Sequence, residues 1–526
     1  HAQMCGRFCV FSTILTGSVY GVDSRLIRVE VDLSPGLPCF VMVGSPGREV
    51  RESGERVRIA LKNSGITLPP MHISVNLSPA DIRKEGTGFD LPIAVGVLCA
   101  LERLPGGCAD GMLIMGELGL DGEIRKIKGV LPGAVTAARA GIRRCLVPEK
   151  NVWEAAAAEG MQAVGVSCLE QAMEYLKRSG QERDRFLPPR TVDPRALLSP
   201  RQTGRGGARE PDFDQIAGQE SVKRAALIAA AGFHHLLIMG APGTGKTMIA
   251  RRLPTILPPL TLEESMEVSS LYSIAGKLGE EECLITRRPF LSPHHTVSPQ
   301  ALSGGGRIPG PGLVSLAHRG ILFLDELPQF KRQTLDLLRQ PLEDKQIQIA
   351  RTGGAFCYPA DLMLVGAMNP CPCGYYPDRN RCRCTPFERR SYLSHISGPI
   401  LDRIDLCIQA QKVDYARLRE GGGEGSGSMR AKVEQARKRQ RERYQGTGIR
   451  FNSDLEAGEL ERYCALGEKE QRLLERMYRT MDLSVRACHR LLKVARTIAD
   501  LEGSGEIACS HLAEASIYRA FERPED

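Results

Sequence analysis

The chain has 526 residues, a net charge of +8 with histidines neutral, 42% apolar and 25% charged residues. That length exceeds what one hydrophobic core fills, so about two to four domains are expected, and the modest positive charge permits a nucleic-acid partner without requiring one. No apolar run approaches the roughly 18 residues a membrane-crossing helix needs, which excludes such a span.

The stretch from Met4 lacks the layout of a secretory leader. The 17 cysteines are therefore expected to be free thiols in a reducing cytoplasm.

Residues 4–178 read as alternating strands and helices, an α/β domain. Leu26-Ile-Arg-Val-Glu-Val31, Phe40-Val-Met-Val43 and His72-Ile-Ser-Val-Asn-Leu77 are strand-like. Val50, Val57 and Leu61 have helical spacing, stopped by Asn63-Ser-Gly65. Residues 91–101 form a second apolar helix and 132–140 a third, with buried strands at 112–115 and 145–147. The strings Lys84-Glu-Gly-Thr-Gly-Phe-Asp90, Ile114-Met-Gly-Glu-Leu-Gly-Leu-Asp-Gly-Glu-Ile124 and Leu146-Val-Pro-Glu149 resemble the protease domain of the Lon family, whose fold is S5-related. The resemblance places Gly88 where Lon has its serine, and puts the partner lysine near Leu131. A Ser–Lys dyad needs an oxygen nucleophile and an amine to take its proton, so a scaffold or docking role is expected rather than proteolysis.

Residues 179–211 read as a basic linker, with Pro188-Pro189, Pro194, Pro200 and seven arginines. It is either solvated or a contact for a nucleic-acid backbone.

The next domain spans residues 212–413. The apolar run Leu236-Leu-Ile-Met239 leads into Gly240-Ala241-Pro242-Gly243-Thr244-Gly245-Lys246-Thr247, and a helical pattern continues until Pro254, where it is expected to stop. Strand, Gly-rich turn and helix form a phosphate-binding loop: backbone N–H groups and the helix N-terminus face phosphate oxygens. Lys246 reaches the β- and γ-phosphates of ATP, and Thr247 offers its hydroxyl to Mg²⁺. Gly320-Ile-Leu-Phe-Leu-Asp325-Glu326 reads as a buried strand ending in two acids. Asp325 would hold Mg²⁺ through water, and Glu326 would act as general base on the attacking water. A further strand, 362–368, ends at Asn369, suited to orienting that water.

This domain resembles AAA+ ATPases of the Mg-chelatase and replicative-helicase branches, from its entry segment Phe213-Asp-Gln-Ile-Ala-Gly-Gln219 onwards. In Ser397-Gly-Pro-Ile-Leu-Asp-Arg403-Ile-Asp405 the resemblance makes Arg403 an arginine finger for the neighbouring subunit; the competing reading is an ion pair with Asp402 or Asp405. Arg307, in a Gly-rich insertion, and Arg351, before a Gly-Gly turn between two strands, would face a central pore and grip DNA phosphates, or else be solvated.

Cys371-Pro-Cys373 and Cys382-Arg-Cys384 offer four thiolates in two tight pairs. They could form a closed structural Zn²⁺ site, against the alternative of reduced or redox-sensitive thiols. Residues 414–429 read as a flexible Gly-rich tether and 430–526 as an all-helical lid. Ser484-Val-Arg486-Ala-Cys-His-Arg490 resembles the second sensor motif of AAA+ lids, making Arg486 the γ-phosphate contact, with Arg490 and Arg496 as rivals.

Taken together, the chain from Met4 resembles the YifB/ComM group of Mg-chelatase-like ATPases. The resemblance implies a hexameric ring that hydrolyses ATP, with a helicase or branch-migration role on DNA during natural transformation. A chelatase-type motor for metal insertion into a tetrapyrrole and a protein-remodelling ATPase remain alternatives.

Overall fold

The computed structural model describes residues 11–198, 211–306, 309–351, 354–413 and 423–519. Its first sheet has seven strands: β1 (Phe11–Tyr20), β2 (Asp23–Pro35), β3 (Cys39–Val43), β4 (Met71–Ser78), β5 (Met112–Ile114), β8 (Arg144–Pro148) and β9 (Gln162–Val166). A short hairpin of β6 (Glu117–Leu118) and β7 (Ile124–Arg125) lies outside it. The strand order is β3-β4-β2-β1-β5-β8-β9, antiparallel through β4-β2-β1 and parallel elsewhere. In β2 the buried Ile27, Val29, Val31 and Leu33 alternate with outward residues, so one face meets the apolar helix Asp90–Ala100. The same alternation in β5 sends Met112 and Ile114 to that core, and Leu113 to a second one built on the helix Val130–Arg139.

The second sheet is parallel throughout: β10 (Leu236–Gly240), β11 (Phe290–Leu291), β14 (Ile321–Leu324), β17 (Met363–Met368) and β18 (Leu406–Ala410), in the order β11-β14-β17-β10-β18. β10, β14 and β17 are apolar along almost their whole length because helices cover both faces. Between them lie the two-residue strands β12 (Gly304–Gly305) and β13 (Gly310–Pro311), and the hairpin of β15 (Gln346–Arg351) and β16 (Gly354–Pro359). The C-terminal helices Ser426–Arg443 and Val485–Glu502 pack on the helix Glu220–Gly232 and share its core.

Three local expectations change. The helix that opens at Lys246 runs through Pro254 and ends two residues later, at Ile256. There the Thr255 hydroxyl donates to the Arg252 carbonyl at 2.7 Å. Within the expected linker, Gly180–Phe186 and Pro194–Leu197 are helical. Two of its arginines rest on aromatic rings, Arg183 on Tyr175 at 5.1 Å and Arg190 on Trp153 at 5.4 Å. The end of the expected tether is helical from Ser426, whose N–H donates to Asp212 at 2.8 Å.

The first domain packs against the second. Lys126 donates to the Leu278 carbonyl at 2.9 Å, the Gly129 N–H to that of Ser273 at 3.1 Å, and Ser273 bonds to Glu154. Tyr20, at the β1–β2 turn, lies 5.1 Å from Phe356 on the β15–β16 hairpin.

Candidate nucleotide site and arginine cavity

All strands of the second sheet run the same way, so the segments leaving β10, β14 and β17 gather at one end, where open α/β sheets bind ligands. The loop after β10 needs its glycines. Gly243 and Gly245 have φ of 79° and 85°, and a Cβ on Gly240 would lie 2.8 Å from the Ala410 carbonyl oxygen. The helix Lys246–Ile256 starts directly behind, so its first N–H groups face the loop's interior.

Lys246 donates to the carbonyls of Gly240 (2.7 Å) and Ala241 (3.0 Å) and to Asn369 Oδ1 (3.1 Å). Burial pushes its pKa down, and the charges of Asp325 and Glu326 oppose that shift. Thr247 Oγ1 donates to Asp325 Oδ2 at 2.8 Å. The two oxygens expected to share Mg²⁺ are therefore already neighbours, and a hydroxyl beside a carboxylate is a donor set that suits this hard cation. Glu326 is exposed and has left-handed backbone angles (φ 51°), which end the strand. Two hydrogen-bonded pairs, Lys246–Asn369 and Thr247–Asp325, thus stand side by side through the adjacent Lys246 and Thr247, with Glu326 next after Asp325 in the chain.

Gln219 closes the entry segment but has no role that its local pattern announces. Its amide donates to the Thr244 carbonyl at 3.0 Å and to that of Gln411, tying the phosphate loop to the strand beside it.

Arg403 and Arg486 lie elsewhere. They line a cavity of about 860 Å³ with Phe233, His235, Asp361 and Asp405, residues that precede β10, β17 and β18. The cavity therefore opens at the amino end of the sheet, opposite the phosphate loop. Arg403 ion-pairs with Glu343 rather than with Asp402 or Asp405, and Arg486 lies 3.7 Å from the same carboxylate oxygen. Of the three lid arginines considered, Arg486 is 73% exposed. Arg490 is buried and donates to the Ile404 carbonyl at 3.3 Å, while Arg496 is buried against Asp500 at 3.1 Å. Arg486 is the one able to meet an outside phosphate.

The sulfurs of Cys371, Cys373, Cys382 and Cys384 lie within 4.8 Å of one another. The separations 371–373, 371–382 and 373–382 are 3.4, 3.7 and 3.6 Å. A tetrahedral Zn–S₄ centre with bonds of about 2.3 Å has sulfurs about 3.8 Å apart, so the four thiols fit that ion. A hydrogen bond from the Tyr375 backbone to its sulfur pulls the Cys373 thiol down to about 6. The loop is seated on the nucleotide site: a Cβ on Gly374, itself at φ 83°, would come within 2.6 Å of Pro242.

Arg307 lies outside the described residues. Arg351 pairs with Gly354 across the hairpin, and its side chain is likewise outside the description.

Three family profiles match the chain: "Magnesium chelatase, subunit ChlI" over residues 212–418, "Subunit ChlI of Mg-chelatase" over 29–151, and "Magnesium chelatase, subunit ChlI C-terminal" over 423–519. Competence protein ComM of Haemophilus influenzae is 42% identical over 506 residues, 96% of each chain. The chain belongs to the YifB/ComM family. The YifB protein of Escherichia coli is 41% identical over 515 residues, 97% of each chain. The magnesium-chelatase 38 kDa subunit of Rhodobacter capsulatus is 30% identical over 191 residues, 33% of this chain and 55% of its own. Membership in this Mg-chelatase-like AAA+ family agrees with the parallel sheet and the helical C-terminal region of this YifB/ComM chain. Among the described residues no helix is long and apolar enough to cross a membrane.

Proposed function

We propose that the chain is an ATP-hydrolysing motor that assembles as a ring, a hexamer of identical copies, and acts on DNA as a helicase or branch-migration enzyme. One observation carries this reading: the phosphate loop and the exposed Arg486 with Arg403 stand at opposite ends of one sheet. Each nucleotide site then takes its arginines from the next copy, which couples hydrolysis to assembly. The name of the Haemophilus relative, a competence protein, supports DNA as the polymer.

ATP would lie with its phosphates on the N–H groups of residues 241–247. Lys246, now bound to Asn369, turns to the β- and γ-phosphates and frees the Asn369 amide to orient water. Glu326 accepts the proton of that water. Thr247 and Asp325 would hold Mg²⁺, which would supply charge neutralisation at the phosphates. Arg403 and Arg486 of the adjoining copy stabilise charge on the transferring phosphoryl group. Zn²⁺ at the four cysteines would fix the shape of the loop that rests on Pro242. Residues 4–178 serve as a Lon-like docking domain, Arg307 and Arg351 contact the DNA backbone, and the motor works in the cytoplasm.

A labelled four-way DNA junction tests the reading. ATP-dependent conversion of the junction to duplexes is expected, abolished by Lys246→Ala. A ring that hydrolyses ATP but leaves junction and fork untouched overturns it. The second reading, a chelatase-type motor, is favoured by the descriptions of the matching profiles, although the 38 kDa subunit aligns with a third of the chain.

A further inference from the structure

We propose that the cysteine-rich loop beside the phosphate loop is the surface on which the next copy of the chain docks. The proposal rests on the reading that Arg403 and Arg486 act between copies, and it names the contact that brings them there.

Residues 371–385 and the helix Pro386–Ser394 leave the carboxyl end of β17, the end that carries the phosphate loop. Gly374 anchors the loop on Pro242. Its outer side holds aromatic and basic groups in water. Phe387 is 79% exposed and Tyr376 42%. Arg379, Arg381, Arg383 and Arg390 are exposed, against the exposed carboxylates Asp378 and Glu388. Two guanidinium–ring contacts stiffen the patch, Arg381 over Tyr375 at 4.6 Å and Arg389 over Tyr376 at 4.0 Å. Aromatic side chains and arginine on a firm base are what interface hot spots are made of.

The occupant is indicated by the opposite end of the sheet. Around Arg403 and Arg486 the exposed carboxylates are Glu343, Asp344, Asp402 and Glu456. A copy that delivers Arg403 to its neighbour's phosphate loop must bring these acids over the residues flanking that loop. The cysteine-rich loop, seated on Pro242 through Gly374, is among those residues, and it carries four exposed arginines together with its following helix. The four exposed acids outnumber the exposed cations of the same face, Lys345 and Arg486, so the two faces are complementary in charge, and the nucleotide site is incomplete until they meet. The loop also lies at the far end of β17 from the β15–β16 hairpin that precedes that strand. That placement favours a second copy over a polymer threaded past the hairpin.

The test uses two reversals in the full chain: Arg379→Glu/Arg381→Glu/Arg383→Glu on the loop, and Asp344→Lys/Asp402→Lys on the cavity rim. Assembly is followed by mass photometry with Mg²⁺ and a non-hydrolysable ATP analogue. Each reversal alone is expected to raise the concentration for half-assembly by about tenfold or more. Mixed in equal amounts they restore it to within about threefold of wild type, because an alternating ring pairs opposite charges at every contact. Phe387→Ser, which leaves the charges alone, is expected to weaken assembly by about tenfold as well and covers a reversal that fails to fold. Wild-type assembly by the loop reversal, or a mixture that does not recover, overturns the proposal. So does a loop reversal that assembles normally and loses only DNA affinity, which would make the patch a nucleic-acid surface. A wild type that never assembles would instead sink the proposed ring.

Discussion

Arg403→Ala should abolish ATP hydrolysis and yet be rescued by a second dead variant. β10 has five residues, from the amino end at the arginine cavity to Gly240 at the phosphate loop. At about 3.3 Å per residue it separates the two by about 16 Å, so Arg403 cannot serve its own site. An arginine supplied between subunits is worth about 10³-fold or more in turnover, roughly 4 kcal/mol of transition-state stabilisation. Lys246→Ala loses turnover from the other side of the same interface. In a 1:1 mixture, half the phosphate loops are intact and half the neighbours carry Arg403. About one interface in four is then complete, and the mixture should recover about a quarter of wild-type activity. Phosphate release is measured for each variant and for mixtures across the full range of ratios, with mixed assembly confirmed by native mass spectrometry. Full activity of Arg403→Ala, or a mixture that forms mixed rings and stays dead, refutes the reasoning. Arg486→Ala should complement Lys246→Ala in the same way.

The four cysteines should carry one Zn²⁺ per chain by elemental analysis, and Cys373→Ser/Cys382→Ser should lose it and weaken ATP binding through the Gly374–Pro242 contact; full metal content in that variant contradicts the site. Asp500 is buried and bonded to Arg443, Arg496 and Asn452. Asp500→Ala strands two guanidinium groups and should cost about 3–5 kcal/mol in urea denaturation. At Glu267, burial raises the carboxyl pKa but His318 (3.1 Å) and Arg319 (2.9 Å) outweigh it, bringing it from 4.5 to about 2. The folded value is depressed, so the stabilisation is complete above the unfolded value and is lost as pH falls toward 2. The Glu267 side chain is 38% exposed, so screening reduces the effect to about 1–2 kcal/mol. Glu267→Gln should flatten the loss of stability between about pH 5 and 3, measured by chemical denaturation.

The sequence spelled out what depends on short strings. Residues 240–247 carry their own strand, turn and helix signals, and Asp325-Glu326 ends an apolar run. The helices at 48–63, 90–100 and 130–139 lie within a few residues of their periodic patterns. Non-local partners were hidden. Arg183 and Arg190 read as linker charge because Tyr175 and Trp153 are brought to them only by folding. Glu343, the carboxylate that Arg403 and Arg486 share, lies sixty residues before Arg403 and in no motif. Whether an arginine faces its own phosphate loop or the opposite end of the sheet depends on strand order, which no local pattern encodes. The seating of Gly374 on Pro242 has the same origin.

The central claim is that this composite site drives a motor on DNA. Steady-state ATP hydrolysis by the wild type and Glu326→Gln, with no DNA, single-stranded DNA and forked DNA at two salt concentrations, tests it most directly. The account predicts that DNA stimulates the wild type, that higher salt weakens the stimulation as phosphate contacts are screened, and that Glu326→Gln binds ATP without turning it over. Hydrolysis indifferent to both DNA forms at both salt concentrations, with Glu326→Gln still inactive, would contradict the DNA motor and leave the ATPase site standing.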